Sequence, residues 1–207
     1  MKKILKIVLL VMFLFIFILL ILKVTYKKPE IEEKKEEVAG EEIVINASIK
    51  MIDFQIKVYP EKRVPSTNNW DTIIDFKVNN SGNTSTYLQK SLATNNLGIV
   101  NYILAPVENI PGGNHIVYIK GISHLTKRYN NIPFVTQHEN IDFTPYGDLL
   151  AGDTNPVNDN VINSLDLSTL IIRLNTGDYI NDLNQDTTVN SLDLSIQIFN
   201  LYKTGDT

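Results

Sequence analysis

The sequence predicts a chain of several parts: an apolar N-terminal helix, an antiparallel β-sandwich of about seven strands, and a small helical domain of two calcium-loop–helix units. Three observations predict it. Ile7 to Leu22 form an unbroken apolar run, residues 43–145 alternate apolar and polar positions between turn signals, and six residues near the C-terminus recur 27 positions later. These boundaries give residues 1–28 as membrane anchor or signal peptide, 29–42 as a charged linker, 43–145 as the sandwich and 148–207 as the loop–helix domain.

The apolar run is long enough to cross most of a hydrocarbon core of roughly 30 Å as a helix rising about 1.5 Å per residue. Lys2, Lys3 and Lys6 precede it, and Lys23, Lys27 and Lys28 follow it. A cleaved signal peptide is the rival reading. It needs small residues at the end of the run, and Ile21-Leu22-Lys23-Val24-Thr25-Tyr26 has no such site. An uncleaved anchor with the rest of the chain on the extracytoplasmic face is therefore expected, or a secreted protein if the segment is cut. From Pro29 to Glu42 the chain reads PEIEEKKEEVAGEE, which has too few apolar residues to bury a face and reads as a solvated stalk.

In the third part the alternation has period two. Ile52, Phe54, Ile56 and Val58 mark one face of a strand; Ile74, Phe76 and Val78 mark another; Val100, Tyr102 and Leu104 a third. Ile116 and Tyr118 oppose Val117 and Ile119. Asn79-Asn80-Ser81-Gly82-Asn83, Asn95-Asn96 and Pro111-Gly112-Gly113-Asn114 separate the runs as turns. No catalytic residues emerge. The three histidines share no ligand spacing, and a sandwich of this size rarely supplies the cleft and opposed carboxylates of a glycosidase. With no cysteine in the chain, disulfides, zinc–thiolate sites and thiol nucleophiles are excluded. No basic stripe marks a nucleic-acid surface. The stretch Leu97-Gly98-Ile99-Val100-Asn101-Tyr102 … Ile110-Pro111-Gly112-Gly113-Asn114-His115-Ile116-Val117-Tyr118-Ile119-Lys120-Gly121 resembles a hairpin of carboxypeptidase-regulatory-like, transthyretin-like sandwiches. That resemblance implies a spacer or adhesive module.

The last part is acidic: nine Asp and no Glu follow Gly147, with Arg173 and Lys203 as cations. Asn163-Ser164-Leu165-Asp166-Leu167-Ser168 recurs as Asn190-Ser191-Leu192-Asp193-Leu194-Ser195. Upstream of the second copy, Asp182, Asn184, Asp186, Asn190 and Asp193 take positions 1, 3, 5, 9 and 12 of a calcium loop (182–193), with the Thr188 carbonyl at 7. The first loop (153–166) fits with a two-residue insertion near Pro156: Asp153, Asn155, Asp159, the Val161 carbonyl, Asn163 and Asp166. Alternate residues of a tight loop point oxygens inward at a hard cation, and the twelfth closes the shell from the following helix. Position 6 favours φ > 0; Asn160 tolerates that conformation, and Thr187 does so less easily. Helical spacing follows each loop, at Leu167, Leu170, Ile171, Leu174 and at Leu194, Ile198, Leu201, Tyr202.

Loop-then-helix, twice, with D-x-N-x-D-x-x-V-N-S-x-D as its motif, resembles type I dockerins. The resemblance implies two Ca2+ ions, a cohesin-like partner module and an association with polysaccharide-degrading machinery. It also implies that positions 10 and 11, Ser164-Leu165 and Ser191-Leu192, read the partner. Packing of Leu165 and Leu192 inward, or against the sandwich, is the competing expectation. Two functions follow: a surface-anchored docking protein, or a calcium-rigidified structural or adhesive protein whose tail packs on its own sandwich. An enzyme is the weakest reading, and no small-molecule substrate is evident.

Overall fold

The computed structural model describes residues 51–63, 68–157 and 159–207. The anchor and linker expectations lie outside the described residues, among which no helix is long and apolar enough to cross a membrane. Asn46–Thr207 form one compact unit that holds both the sandwich and the loop–helix tail.

Seven strands form: β1 (Asp53–Lys57), β2 (Ile73–Asn80), β3 (Thr86–Ala93), β4 (Ile99–Ile103), β5 (Gly113–Gly121), β6 (Lys127–Phe134) and β7 (His138–Asp142). They make a three-stranded sheet, β4-β1-β7, and a four-stranded sheet, β3-β2-β5-β6. The alternation does what the sequence asks. In β2, Ile74, Phe76 and Val78 are fully buried while Ile73 and Asp75 face solvent. Phe54 and Ile56 of β1 meet them across the sandwich, with the Phe54 and Phe76 rings 5.1 Å apart. The Asn-rich turn between β2 and β3 works through Asn80, whose side-chain oxygen accepts from the Thr84 and Ser85 amides, while Asn83 adopts φ 56°.

Two expectations change. The sandwich is not wholly antiparallel: β1 pairs parallel with β7, Phe54 facing Glu139 and Ile56 facing Ile141. The supposed hairpin does not exist either. β4 pairs with β1, and β5 with β2 and β6, so the two segments lie in different sheets. Gly98 and the Pro111–Gly113 turn are local signals that serve any strand end. At Gly98, φ is +72° and a Cβ would collide with the Val58 carbonyl.

The tail carries two nine-residue helices, α1 (Ser164–Ile172) and α2 (Ser191–Phe199). Each starts with a reciprocal capping box, Asn163 with Asp166 and Asn190 with Asp193. Leu170 and Ile196 point inward with Leu183, Val189 and Ala151 to form a second small core, flanked by Leu174 and Leu194. The expected apolar stripes are only partly buried: Ile171, Ile198 and Tyr202 are exposed, and Leu174, Leu201 and Tyr202 lie past the helix ends. A core this small cannot hold a segment of such length alone.

The sandwich supplies what is missing. Asn200 donates from Nδ2 to Glu61 Oε2 (2.5 Å) and to the Ala151 carbonyl (2.9 Å). Gln197 Nε2 donates to the Gly152 carbonyl at 2.9 Å. Gly152 and Asp153 donate to Ser123 O, and the Asn160 side chain accepts from Thr126 N at 2.7 Å. The C-terminal residues return along the first loop, and Asp206 bonds to Thr126 and Arg128 of the sandwich.

Candidate metal centres

Loop 1 brings three of its acidic side chains together. Asp153, Asn155 and Asp166 are buried and Asp159 is exposed. One carboxylate oxygen from each of Asp153, Asp159 and Asp166 lies within 4.8 Å of the others. Asp166, the third residue of α1, accepts from Asn163 N through Oδ2 and from Thr154 N and both Asn155 nitrogens through Oδ1. Asn155 Oδ1 in turn accepts from Val157 N. Asn163 reaches back from Nδ2 toward Asp159 and the Val161 carbonyl, both at 3.4 Å. Asp153 accepts through Oδ2 from Asn160 N (3.1 Å) and from Lys120 Nζ (2.5 Å). Its Oδ1 is buried and has no donor.

Loop 2 repeats the wiring with main-chain donors of its own. Asp182 accepts from Asp186 N and Thr187 N. Asp193, at the third position of α2, accepts from Asn184 N and Asn190 N. Asp186 holds Thr188 N and the side-chain amides of Asn184 and Asn190, and Asn190 Nδ2 also donates to the Thr188 carbonyl. Both sixth positions take positive φ, 65° at Asn160 and 83° at Thr187. For β-branched Thr187 this is a strained conformation. Among the described residues, loop 1 is the one place where three carboxylates converge so closely.

Burial dominates the electrostatics of both loops. Burial pushes the Asp153 carboxyl up from its ordinary value, and the nearby Asp166 charge adds to the push; Lys120 opposes both. Burial also raises Asp182, helped by the charges of Asp193 and Asp186. Burial would raise Asp186 too, but the amides of Asn184 and Asn190 outweigh it and hold this carboxyl down. The donor set of loop 1 fits calcium. It offers hard oxygens, a span of 4.8 Å compatible with metal–oxygen distances of about 2.3–2.6 Å on opposite sides of an ion, and a buried orphan oxygen at Asp153.

Lys120 and the side-chain role of Asn160 were not legible in the sequence. Lys120 is 33 residues from Asp153 and lies on β5, so no local spacing signals it. His124 is fully buried beneath Gly121, with both ring nitrogens lacking partners. Burial first, then the charges of Arg63 and Lys120, keeps its pKa well below 6.5. Between that lowered value and 6.5 the unfolded chain binds a proton that the folded chain rejects. Stability is thus held above about pH 6.5 and falls as pH drops through the window, by up to about 1.4 kcal/mol per pH unit. Denaturant titrations from pH 7.5 to 5 should show this slope in the native protein and its loss in His124→Leu.

The residues at positions 10 and 11 do not pack inward. Ser164 and Ser191 are exposed; Leu165 is 59% and Leu192 53% exposed. About two helical turns on, Ile172 (76%) and Phe199 (70%) extend each apolar face. The second expected arrangement is also present in part, because the tail is seated on the sandwich through α2, Asn200 and loop 1. That seat leaves the Leu165 and Leu192 faces open.

No protein-family model matches the chain, and no curated protein matches it. Among solved structures, the chain is similar to one from a C-terminal interface mutant of a type II cohesin–X–dockerin complex of Acetivibrio cellulolyticus. The TM-score is 0.52 at 20% identity, covering 74% of this chain and 97% of that one. An N-terminal interface mutant of the same type of complex from that organism gives 0.46 at 20% identity, with the same coverage. At that identity the likeness shows the fold. The chain has a β-sandwich of a kind present in cohesin–X–dockerin complexes. The matched share exceeds the stretch from β1 to β7, so the likeness is not confined to the sandwich.

Proposed function

We propose that this chain is a binding protein, held at the extracytoplasmic face by its apolar N-terminal segment, whose calcium-loaded tail docks a cohesin-like module. The observation that carries the reading is the outward exposure of Leu165 and Leu192 at the start of two equivalent helices, each set by an Asp/Asn loop. Capping fixes where each helix begins, so the loop fixes where the leucine points. When calcium is bound it supplies positive charge to the carboxylates of each loop, which converge most closely in loop 1. Asp153, Asn155, Asp159, Val161, Asn163 and Asp166 would hold one ion, and Asp182, Asn184, Asp186, Thr188, Asn190 and Asp193 the other. The exposed apolar pairs then give a partner two small hydrophobic anchors, whose burial is worth roughly 1.5–3 kcal/mol per side chain. Work beside polysaccharide-degrading machinery belongs to this reading as the setting of such docking, with no catalysis by the chain.

The sandwich favours a second reading, because the complex it resembles contains a cohesin. On that reading the chain is the receiving side, and its partner is a dockerin-type module.

Calorimetric titration of the full-length protein with a type II cohesin and, separately, with a type II dockerin, each with and without chelator, separates the two. The first reading expects calcium-dependent cohesin binding that Leu165→Asp/Leu192→Asp weakens at least a hundredfold. Binding of the dockerin alone, indifferent to those substitutions, would establish the second in its place.

A further inference from the structure

Loop 1 differs from loop 2 in one respect that the repeat does not predict. Asp182 takes its donors from its own loop. Asp153 takes one of its two from the sandwich, the Lys120 ammonium at 2.5 Å, on the side chain's Oδ2. The same ammonium donates to the His124 carbonyl at 2.9 Å and lies 3.4 Å from Asn160 Oδ1. Asp153 has no exposed side-chain surface and Lys120 has 13%, so water screens the pair poorly. The oxygen that Lys120 leaves alone, Oδ1, is the buried one without a donor.

We propose that Lys120 is a positioning residue of the first calcium loop: a cation built into the sandwich that holds Asp153 in place without calcium and opposes the ion when it arrives. This rests on the calcium reading above. Without a metal, three carboxylates converge with one positive charge beside them, and Lys120 lowers the cost of keeping Asp153 ionised and ordered. With a metal, the ammonium becomes a like charge next to the ion's ligand. The calcium-free loop therefore gains more from Lys120 than the calcium-bound loop does. Loop 1 keeps its shape when calcium is scarce, at the expense of affinity, and its response to calcium is tied to the tail's seat on β5. Among the described residues no sandwich side chain donates to Asp182, on which the buried Arg63 guanidinium acts through its charge alone, so loop 2 serves as the reference for the direct contact.

The test is calorimetric calcium titration and thermal unfolding of the full-length protein in detergent, comparing wild type with Lys120→Met, Lys120→Gln and Lys120→Arg. In Lys120→Met the unfolding midpoint should fall clearly in chelator and recover most of that loss at saturating calcium. One of the two sites should tighten at least threefold while the other is unchanged, and Asp159→Asn should remove the site that tightened. Lys120→Gln should repeat the tightening if the Met variant folds poorly, and Lys120→Arg should restore wild-type affinity. Equal loss of stability with and without calcium, and affinities unchanged in both neutral variants, would reduce Lys120 to an ordinary structural contact and overturn the proposal. No calcium binding by the wild-type protein would instead overturn the reading beneath it.

Discussion

Stripping calcium from the equilibrated protein is expected to lower its unfolding midpoint by roughly 10–20 °C. A ligand held at a hundred times its dissociation constant stabilises the folded state by about 2.7 kcal/mol per site. Two sites give about 5 kcal/mol, and each kilocalorie shifts the midpoint of a chain this long by roughly 2–4 °C. The structure supplies the reason for so large a dependence. The tail's own apolar core is Leu170, Leu183, Val189, Ile196 and Ala151 with two flanking leucines, and buried Asp153, Asp166, Asp182 and Asp193 are distributed around it. Without a cation these carboxylates destabilise one another, so metal binding and tail folding should be coupled. A scanning-calorimetry series with chelator, magnesium and calcium reads the effect. A midpoint that ignores calcium up to millimolar concentration would leave the loops as ordinary hydrogen-bonded turns.

The second large effect is expected at the junction. Asn200→Ala should cost about 2–4 kcal/mol, because it removes a donor from the Glu61 carboxylate, which is 3% exposed, and leaves Ala151 N as the other donor recorded on that oxygen. It also frees the Ala151 carbonyl and the Lys203 ammonium. The midpoint should fall by roughly 5–15 °C. Limited proteolysis should then cut the chain between β7 and α1 faster than in the wild type. Asn200→Asp, which sets a second carboxylate against Glu61, should be worse than alanine. A wild-type midpoint in both variants would mean that the tail is seated by other contacts.

What could be read in advance divides along physical lines. Strand faces were legible because a buried side chain every second residue is a local constraint, met at Phe54 and Ile56 and at Ile74, Phe76 and Val78. Sheet membership was not. Nothing in Ile99–Ile103 or Gly113–Gly121 says that these strands pair with different partners, and the parallel β1–β7 pair joins segments whose contact is fixed only by chain-wide closure of the core. Helix stripes were partly misread, since Ile171 and Ile198 carry the helical period yet face solvent. Periodicity reports that a face is apolar and does not report what covers it.

The sequence by itself determined the loops and where each helix starts. Asn163 with Asp166 and Asn190 with Asp193 act over three residues, and the Asp and Asn positions of each loop lie within a dozen or so, so short-range geometry suffices. The tertiary structure alone decided where the tail rests, through Glu61, Ser123, Thr126 and Asn200, and that Lys120 reaches Asp153. Those contacts join residues 29 to 139 positions apart, and no local pattern encodes a charge that the sandwich brings to the site.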